Sequence, residues 1–295
     1  MSQPTRVIFA MRRARRKTRY APGYVCRPGS KSIGAALREL WEFRNLLRVF
    51  VWRDVRLRYR NTALGAGWNL LQPLGYLAVF SLVFGFVGGT AVPEAAVPYP
   101  LFLYPGLLVW QLLSRILSLG GSSIDSFKPL LSRVFFPRMI APLTAVTGAL
   151  VDFGVATPAL VLLMVGYSAW PGWPLLTAPL FVALTVVLGL GIALWLTALD
   201  ATYRDIRHAL AFLTQIWLFA SPVVYPLSRV PPALRALYSL NPMVGILEGF
   251  RFALVPGAPA PSGATLCASA GLALGLLVTG LIYFNAREGT LVDDG

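Results

Sequence analysis

Residues 175–198, LLTAPLFVALTVVLGLGIALWLTA, decide the class of this protein, because they contain no charged side chain over the length of a membrane-crossing helix. A helix needs about 20 mostly apolar residues to cross the hydrocarbon core of a bilayer. Several other stretches of the chain have the same character. Only 13% of the 295 residues are charged and 56% are hydrophobic, whereas about 25% of the residues of a typical soluble domain are charged. We therefore predict an all-α integral membrane protein.

The apolar stretches predict six transmembrane helices. They are residues 68–87, 100–119, 143–167, 175–198, 209–225 and 265–283. Residues 226–262 differ, because prolines interrupt them repeatedly and leave apolar runs too short to cross a bilayer. Such runs favour short re-entrant or interfacial helices, which are expected here on the external side before the last span.

The positive charges predict the orientation of the chain. Loops on one side of the predicted spans, together with the C-terminal tail, carry Lys128, Arg133, Arg138, Arg204, Arg207 and Arg287. On the other side, the loops at residues 88–99 and 168–174 carry no Lys or Arg, and the 226–262 loop carries Arg229, Arg235 and Arg251. Cytoplasmic loops of membrane proteins are enriched in Lys and Arg. Both termini are therefore expected in the cytoplasm.

The chain is expected to have three parts. Residues 1–31 are rich in Arg, Gly and Pro and are predicted to be a basic, disordered tail. Residues 32–64 combine apolar positions at helical spacing with basic residues on other faces, which is typical of an amphipathic helix in the membrane interface. Residues 65–295 hold the predicted transmembrane domain. A basic cluster such as that of the tail binds nucleic acid or anionic lipid, and because there is no room for a recognition fold around it, we expect membrane lipid and not nucleic acid.

The sequence lacks the residues needed to hydrolyse ATP. A P-loop needs a Gly immediately before its Lys, but the lysines of this chain follow Arg16, Ser30 and Phe127. A single histidine, His208, and two cysteines offer no clustered metal ligands. No catalytic residue, metal site or cofactor site is therefore predicted in this chain. Asp152 lies inside the third span, where an acid serves either as an ion relay or as a hydrogen-bonded residue between helices.

Residues 53–74, RDVRLRYRNTALGAGWNLLQPL, place a dense row of cations at the headgroups and a Trp at the start of the first span. This run resembles the beginning of the membrane subunit of ABC-2 type exporters. Among these it is most similar to the permeases that export O-antigen and related polysaccharides, and the teichoic-acid permeases are similar. The interfacial cationic motif in this run comprises Arg53, Asp54, Arg56, Arg58, Tyr59 and Arg60.

Further matches to that family follow in the same order and extend the resemblance over about residues 33–290. They are YPLFLYPGLLVW at 99–110, FFPR at 135–138, YRDIR at 203–207, SPVVYP at 221–226, NPM at 241–243 and EGFR at 248–251. Each match is weak by itself, but the full set in register is specific.

The resemblance implies a homodimer of this chain with two separate ATP-binding cassette subunits in the cytoplasm. Those subunits would bind ATP and Mg and hydrolyse the ATP. The substrate implied is a lipid-linked (undecaprenyl-linked) polysaccharide such as O-antigen, moved across the bacterial inner membrane. Within the family, the alternative is an exporter of teichoic acid, another lipid or a drug.

Alternatives of a different class stay open. A stand-alone channel or secondary transporter would be expected to carry paired charges or unwound half-helices within the membrane, and the spans show little of either. A membrane-bound lipid enzyme would need catalytic acids at the membrane surface. Asp200 and Asp205 are the nearby acids, and pairing with Arg204 and Arg207 explains them more simply.

The candidate functional residues fall into three groups. ATPase coupling is expected from a cytoplasmic loop that contains Asp125, Phe135, Phe136, Pro137 and Arg138. An external gate is expected from Asn241, Pro242, Glu248 and Arg251. Tyr76, Phe80 and Phe84 recur every four residues and form an aromatic stripe along one face of the first span, and Phe212 and Phe219 lie on the fifth. These rings either line a translocation channel or pack against helices and lipid.

Overall fold

The computed structural model describes residues 34, 38, 41–60, 65, 67–88, 91–92, 97–131, 136–200 and 205–287. These residues are almost entirely helical, as the sequence predicts, and their two short strands, β1 (Ala91–Val92) and β2 (Val97–Pro98), pair in antiparallel orientation. The predicted tail at residues 1–31 lies outside the described residues.

The helices follow one another in the order that the apolar pattern predicts. They are α1 (Arg44–Arg60), α2 (Gly67–Gly88), α3 (Tyr99–Gly121), α4 (Ser123–Leu131), α5 (Ile140–Gly166), α6 (Ala178–Asp200), α7 (Ile206–Phe219), α8 (Pro232–Ser239), α9 (Pro242–Leu254) and α10 (Gly263–Arg287). Short 3-10 helices cover Trp173–Thr177 and Leu227–Arg229. α1 falls within the predicted interfacial helix at 32–64, and its position at the membrane surface stays a prediction.

Five segments of the described residues are long and apolar enough to cross a membrane. They are Gly67–Phe84, Tyr99–Gly121, Ile140–Gly166, Trp173–Asp200 and Gly263–Arg287. They match five of the six predicted spans to within a few residues. The chain is therefore a multi-pass membrane protein.

The remaining predicted span, residues 209–225, is only partly helical. α7 ends at Phe219, and its 14 residues extend about 21 Å, whereas the hydrocarbon core is about 30 Å thick. The helix stops because the chain turns at residues 220–223, where Pro222 has no N–H to donate to a further helical turn. The length of α7 alone therefore does not establish a sixth crossing.

α3 is the central helix of the protein. Every residue from Leu101 to Trp110 is buried, and the helix packs against α2, α5, α6, α7 and α9. A helix surrounded in this way contacts other helices more than lipid. The polar residues toward its C-terminal end must therefore be satisfied by protein groups or by the contents of a cavity.

α6 and α10 approach each other closely at two glycines. A Cβ atom on Gly191 would lie 2.6 Å from the backbone N of Leu277, and one on Gly280 would lie 2.5 Å from the carbonyl O of Gly191. Small residues allow such close backbone contact between membrane helices, which gain most of their association energy from packing. This contact fixes the last span against the rest of the protein.

We expect Gly191→Ala to destabilise the protein by about 1–3 kcal/mol, the usual cost of forcing extra atoms into a packed interface. The matched control is Gly275→Ala on α10, where an added Cβ meets no atom within 4 Å. Both changes raise helix propensity equally, so the difference between them reports the interhelical contact. Thermal unfolding of the two variants in lipid nanodiscs measures it, and equal midpoints would contradict this packing argument.

Candidate functional site

The predicted aromatic stripe forms a continuous row of rings. The ring centroids of Tyr76 and Phe80 lie 6.1 Å apart, as do those of Phe80 and Phe84. Phe219 of α7 meets Phe80 edge-on at 6.4 Å. The structure therefore brings together four of the five predicted channel residues, while the fifth, Phe212, lies on α7 with 66% of its surface exposed.

A cavity of about 380 Å³ lies beside this stripe, between α2, α3 and α7. We call it the groove. Tyr76 belongs to both the stripe and the groove. The other polar side chains on its wall are neutral except for Asp200: Gln72, Gln111, Ser114, Ser118, Ser122, Thr214 and Gln215. Sequence reasoning missed the groove, although the spacing of residues 111, 114, 118 and 122 indicates one polar face of a helix.

Asp152 is the centre of a polar cluster next to the groove. Its Oδ1 accepts hydrogen bonds from Tyr59 Oη of α1, at 2.5 Å, and from Asn69 Nδ2 of α2, at 2.8 Å. Its Oδ2 lies 3.5 Å from Arg115 Nε of α3, and Arg115 also donates to Asn69 Oδ1 at 3.1 Å. Asp152 is only 6% exposed and is therefore a hydrogen-bonded residue between helices.

The Arg115–Asp152 pair is a contact that the sequence does not reveal. The described spans show few paired charges, as the sequence indicates, and this pair joins α3 to α5. The two residues are far apart along the chain and meet only through helix packing. Such a pair is one of the features expected of an ion-coupled transporter.

α1 is fixed to α4 and to the segment just before α5 by an aromatic cluster of Phe50, Phe127 and Phe136. The ring of Phe50 meets those of Phe127 and Phe136 at 5.2 Å each. Arg53 of the cationic motif lies over the rings of Phe50 and Phe127, at 5.3 and 5.0 Å. Tyr59 of the same motif reaches Asp152, so α1 is attached to the bundle at both places.

The other residues of the cationic motif make fewer contacts. Arg56 lies over the ring of Trp52 at 5.4 Å, and Asp54 is half-buried. The side chains of Arg58 and Arg60 are outside the described part of the chain.

The described residues of the predicted coupling loop are mostly packed against the protein. Phe136 is 2% exposed, because Phe50 and Phe127 enclose it. Pro137 is also buried, and Arg138 is half-buried. Asp125 forms an ion pair with Lys128 at 2.8 Å on α4, and Phe135 lies outside the described residues. The role of this loop in coupling stays a prediction.

Arg251 of the predicted gate connects α9 to α3 and to the turn that follows α7. Its guanidinium donates from Nε to the carbonyl O of Phe102 at 3.2 Å, from Nη1 to that of Pro222 at 2.6 Å, and from Nη2 to that of Val223 at 2.5 Å. The group also lies 3.8 Å from the centre of the Phe102 ring. Gly106 gives it space, because a Cβ there would lie 2.7 Å from Nη2.

Asn241 links the same region to α7. Its Oδ1 accepts from Met243 N at the start of α9 and from Trp217 Nε1, both at 3.0 Å. Its Nδ2 donates to Ser221 Oγ at 2.9 Å. Pro242 occupies the first position of α9, where a missing N–H costs nothing, and Glu248 is half-buried on the same helix. The gate residues therefore lie on one short helix, and a gating role for them stays a prediction.

We expect Arg251→Met to lower stability strongly, because it leaves buried carbonyl oxygens without donors, at about 1–3 kcal/mol each. Arg251→Lys should recover part of the loss. The matched control is Arg235→Met on α8, where the arginine is exposed and also donates to backbone carbonyls. Thermal unfolding and the yield of folded protein measure the effect. An Arg251→Met protein as stable as Arg235→Met would contradict the role assigned to Arg251.

The sequence of this chain is similar to those of known membrane transport proteins. A family model described as ABC-2 type transporter matches residues 45–255, from α1 to the end of α9. The O-antigen export system permease protein RfbA of Myxococcus xanthus is 32% identical over 254 residues, covering 85% of this chain and 96% of that protein.

Two further relatives are more distant. The polysialic acid transport protein KpsM of Escherichia coli is 26% identical over 243 residues, covering 80% of this chain and 91% of that protein. The inner membrane transport permease YadH of Escherichia coli K12 is 25% identical over 227 residues, covering 74% and 82%. The family match spans well over half of the chain. This chain belongs to the ABC-2 type transporter family, and permeases of polysaccharide export are among its relatives.

Proposed function

We propose that this chain is the membrane-spanning permease subunit of an ABC exporter that moves a lipid-linked (undecaprenyl-linked) polysaccharide such as O-antigen across the bacterial inner membrane. The observation that carries the proposal is the aromatic stripe on α2, which continues to Phe219 of α7 and adjoins a polar groove. The relatives named for O-antigen export and polysialic acid transport support the class of substrate. The teichoic-acid, lipid and drug exporters of the family stay the nearest alternative.

A row of partly exposed aromatic rings suits a sliding polymer. Sugar rings present apolar C–H faces that pack on aromatic side chains, while their hydroxyls exchange hydrogen bonds with amides, hydroxyls and water. Pairs of aromatic rings gain about 0.5–1.5 kcal/mol beyond simple burial, and we expect each sugar–ring contact to be weak in the same way. Because similar weak contacts repeat along the stripe, a polysaccharide would pass it without a deep energy minimum.

The proposed assembly is a homodimer with two ATP-binding subunits on the cytoplasmic side. The resemblance to ABC-2 type exporters implies this assembly, and the exposed large apolar residues of α2 and α7 form a surface that either lipid or a second copy of the chain would cover. ATP and Mg would bind to the partner subunits. Asp125, Phe136, Pro137 and Arg138, together with Phe135, would transmit their motion through the aromatic cluster to α1.

The proposed topology has six crossings and cytoplasmic termini. The fifth crossing consists of α7 and the turn that follows it, and α8 and α9 form the external gate. The burial of α9 supports a re-entrant position, since Met243, Val244 and Ile246 are fully enclosed by other helices. The charges of the predicted loops support the orientation.

A second candidate function is a stand-alone, ion-coupled transporter. The Arg115–Asp152 pair favours it, because buried charge pairs accompany ion coupling in many transporters. In this protein Asn69 and Tyr59 hydrogen bond to the same carboxylate. Those bonds fit a fixed structural link between helices better than a site that exchanges ions.

We expect replacement of Tyr76, Phe80 and Phe84 together by Leu to lower polymer export by roughly tenfold, which corresponds to about 1.4 kcal/mol lost with several weak sugar–ring contacts. Leucine keeps the helix apolar, so insertion should be retained. Surface polysaccharide of cells that depend on this chain, normalised to the amount of permease in the membrane, measures export.

The control changes Val79 and Val83 to Leu, on exposed positions of the same helix. It should leave export unchanged. Normal export by the stripe variant, at normal protein level, would contradict the channel role of the stripe and assign its rings to packing.

A further inference from the structure

The wall of the groove is polar along the C-terminal half of α3. Gln111, Ser114 and Ser118 follow one another on one face of that helix, and Ser122 continues the row just after its end. Thr214 and Gln215 of α7 and Gln72 of α2 complete the polar wall. Polar side chains at membrane depth are unfavourable unless they face protein partners or a polar cavity. A cavity that holds so many of them is therefore suited to a hydrogen-bonding ligand.

Gln111 has an unsatisfied donor at the edge of the groove. Its Nε2 is buried and has no hydrogen-bond acceptor among the described residues. A buried amide donor without an acceptor is unfavourable, and a ligand oxygen in the groove would remove that cost once the Gln111 side chain turns its amide toward the groove. Gln111 also lines the small cavity beside Arg115 and Asp152, so it lies between the groove and the polar cluster.

Apart from the carboxylate of Asp200, the groove wall matches the chemistry of an uncharged saccharide. Neutral amides and hydroxyls both donate to and accept from sugar hydroxyls and N-acetyl groups. Tyr76 adds an exposed aromatic ring for the apolar faces of sugar rings, whereas Trp110, which also borders the groove, is buried against Trp217. A volume of about 380 Å³ falls within the range of about 300–1,000 Å³ that is usual for small-ligand sites. It suits a short segment of a chain and not a long polymer.

We propose that the groove is a saccharide-binding subsite within each protomer, which holds a short uncharged segment of the exported polymer through Gln111 and its neighbours. This inference rests on the proposed function. In the proposed topology α3 runs inward while α2 and α7 run outward. The groove then occupies the cytoplasmic half of the membrane, and Phe80, Phe84 and Phe219 of the stripe lie in the outer half. The polymer is first held by hydrogen bonds in the groove and then passes along the aromatic rings.

Protection of single cysteines from N-ethylmaleimide tests the subsite. Cys26 and Cys267 are first changed to Ser, and one cysteine is then placed in the groove (Ser118→Cys or Thr214→Cys), in the stripe (Phe219→Cys) or on exposed α4 (Ser126→Cys). Inside-out vesicles from cells that make the lipid-linked polymer are compared with vesicles from cells that lack its first glycosyltransferase. The polymer should slow labelling at positions 118 and 214 at least severalfold, and it should not affect position 126.

Gln111→Leu supplies the matched variant, because it removes the amide at nearly constant volume. It should abolish the protection of positions 118 and 214, and Gln111→Asn should retain part of it. Protection at position 219 with none in the groove would overturn the subsite and leave the proposed exporter intact. Protection in the groove that survives Gln111→Leu would overturn the role of Gln111. Absence of protection at every position, with surface polymer that does not depend on this chain, would overturn both the subsite and the proposed function.

Discussion

Hydrocarbon offers no hydrogen bonds to a polypeptide, and the fold depends on how this chain satisfies the carbonyl groups that are freed where α7 stops. The guanidinium of Arg251 donates hydrogen bonds to the carbonyl oxygens of Pro222 and Val223. Tyr99 Oη donates to the carbonyl O of Val224 at 2.7 Å. Arg251 can reach these oxygens only because α9 lies inside the bundle, against α3. One guanidinium therefore fixes the break after α7, the buried position of α9 and the N-terminal half of α3.

The same constraint separates two uses of polar groups within the membrane. Asp152 accepts hydrogen bonds from Tyr59 and Asn69 and forms an ion pair with Arg115. These side chains therefore largely satisfy one another, and they connect α1, α2, α3 and α5. The polar face of α3 that faces the groove is different, since Gln111 keeps a donor without an acceptor from the described residues. The cluster around Asp152 is consistent with structural support, and the polar face of α3 is consistent with binding of a ligand. A transporter needs both kinds, because a stable bundle must enclose a path that binds its substrate only weakly.

Much of the fold followed from apolar length alone, and the remainder depends on contacts between distant residues. α3, α5, α6 and α10 were predicted because each carries a long, mostly apolar stretch. The end of α7 was not predicted, because residues 209–225 contain no charged side chain and the break depends on Pro222 together with Arg251. The burial of Phe136 depends on Phe50, which no local pattern connects to it. The stripe followed from a simple four-residue spacing, whereas the groove and the Arg115–Asp152 pair depend on the rotation of each helix about its axis.

The central claim is that this chain is a permease driven by a separate ATPase. Transport of radiolabelled lipid-linked polymer into proteoliposomes that contain the chain, with and without its ATP-binding partner, tests that claim most directly. The account predicts transport only when the partner and ATP are both present, and no loss of transport when a proton gradient is collapsed. Transport by the chain alone, driven by a proton gradient, would contradict the account and would make Arg115 and Asp152 parts of an ion relay.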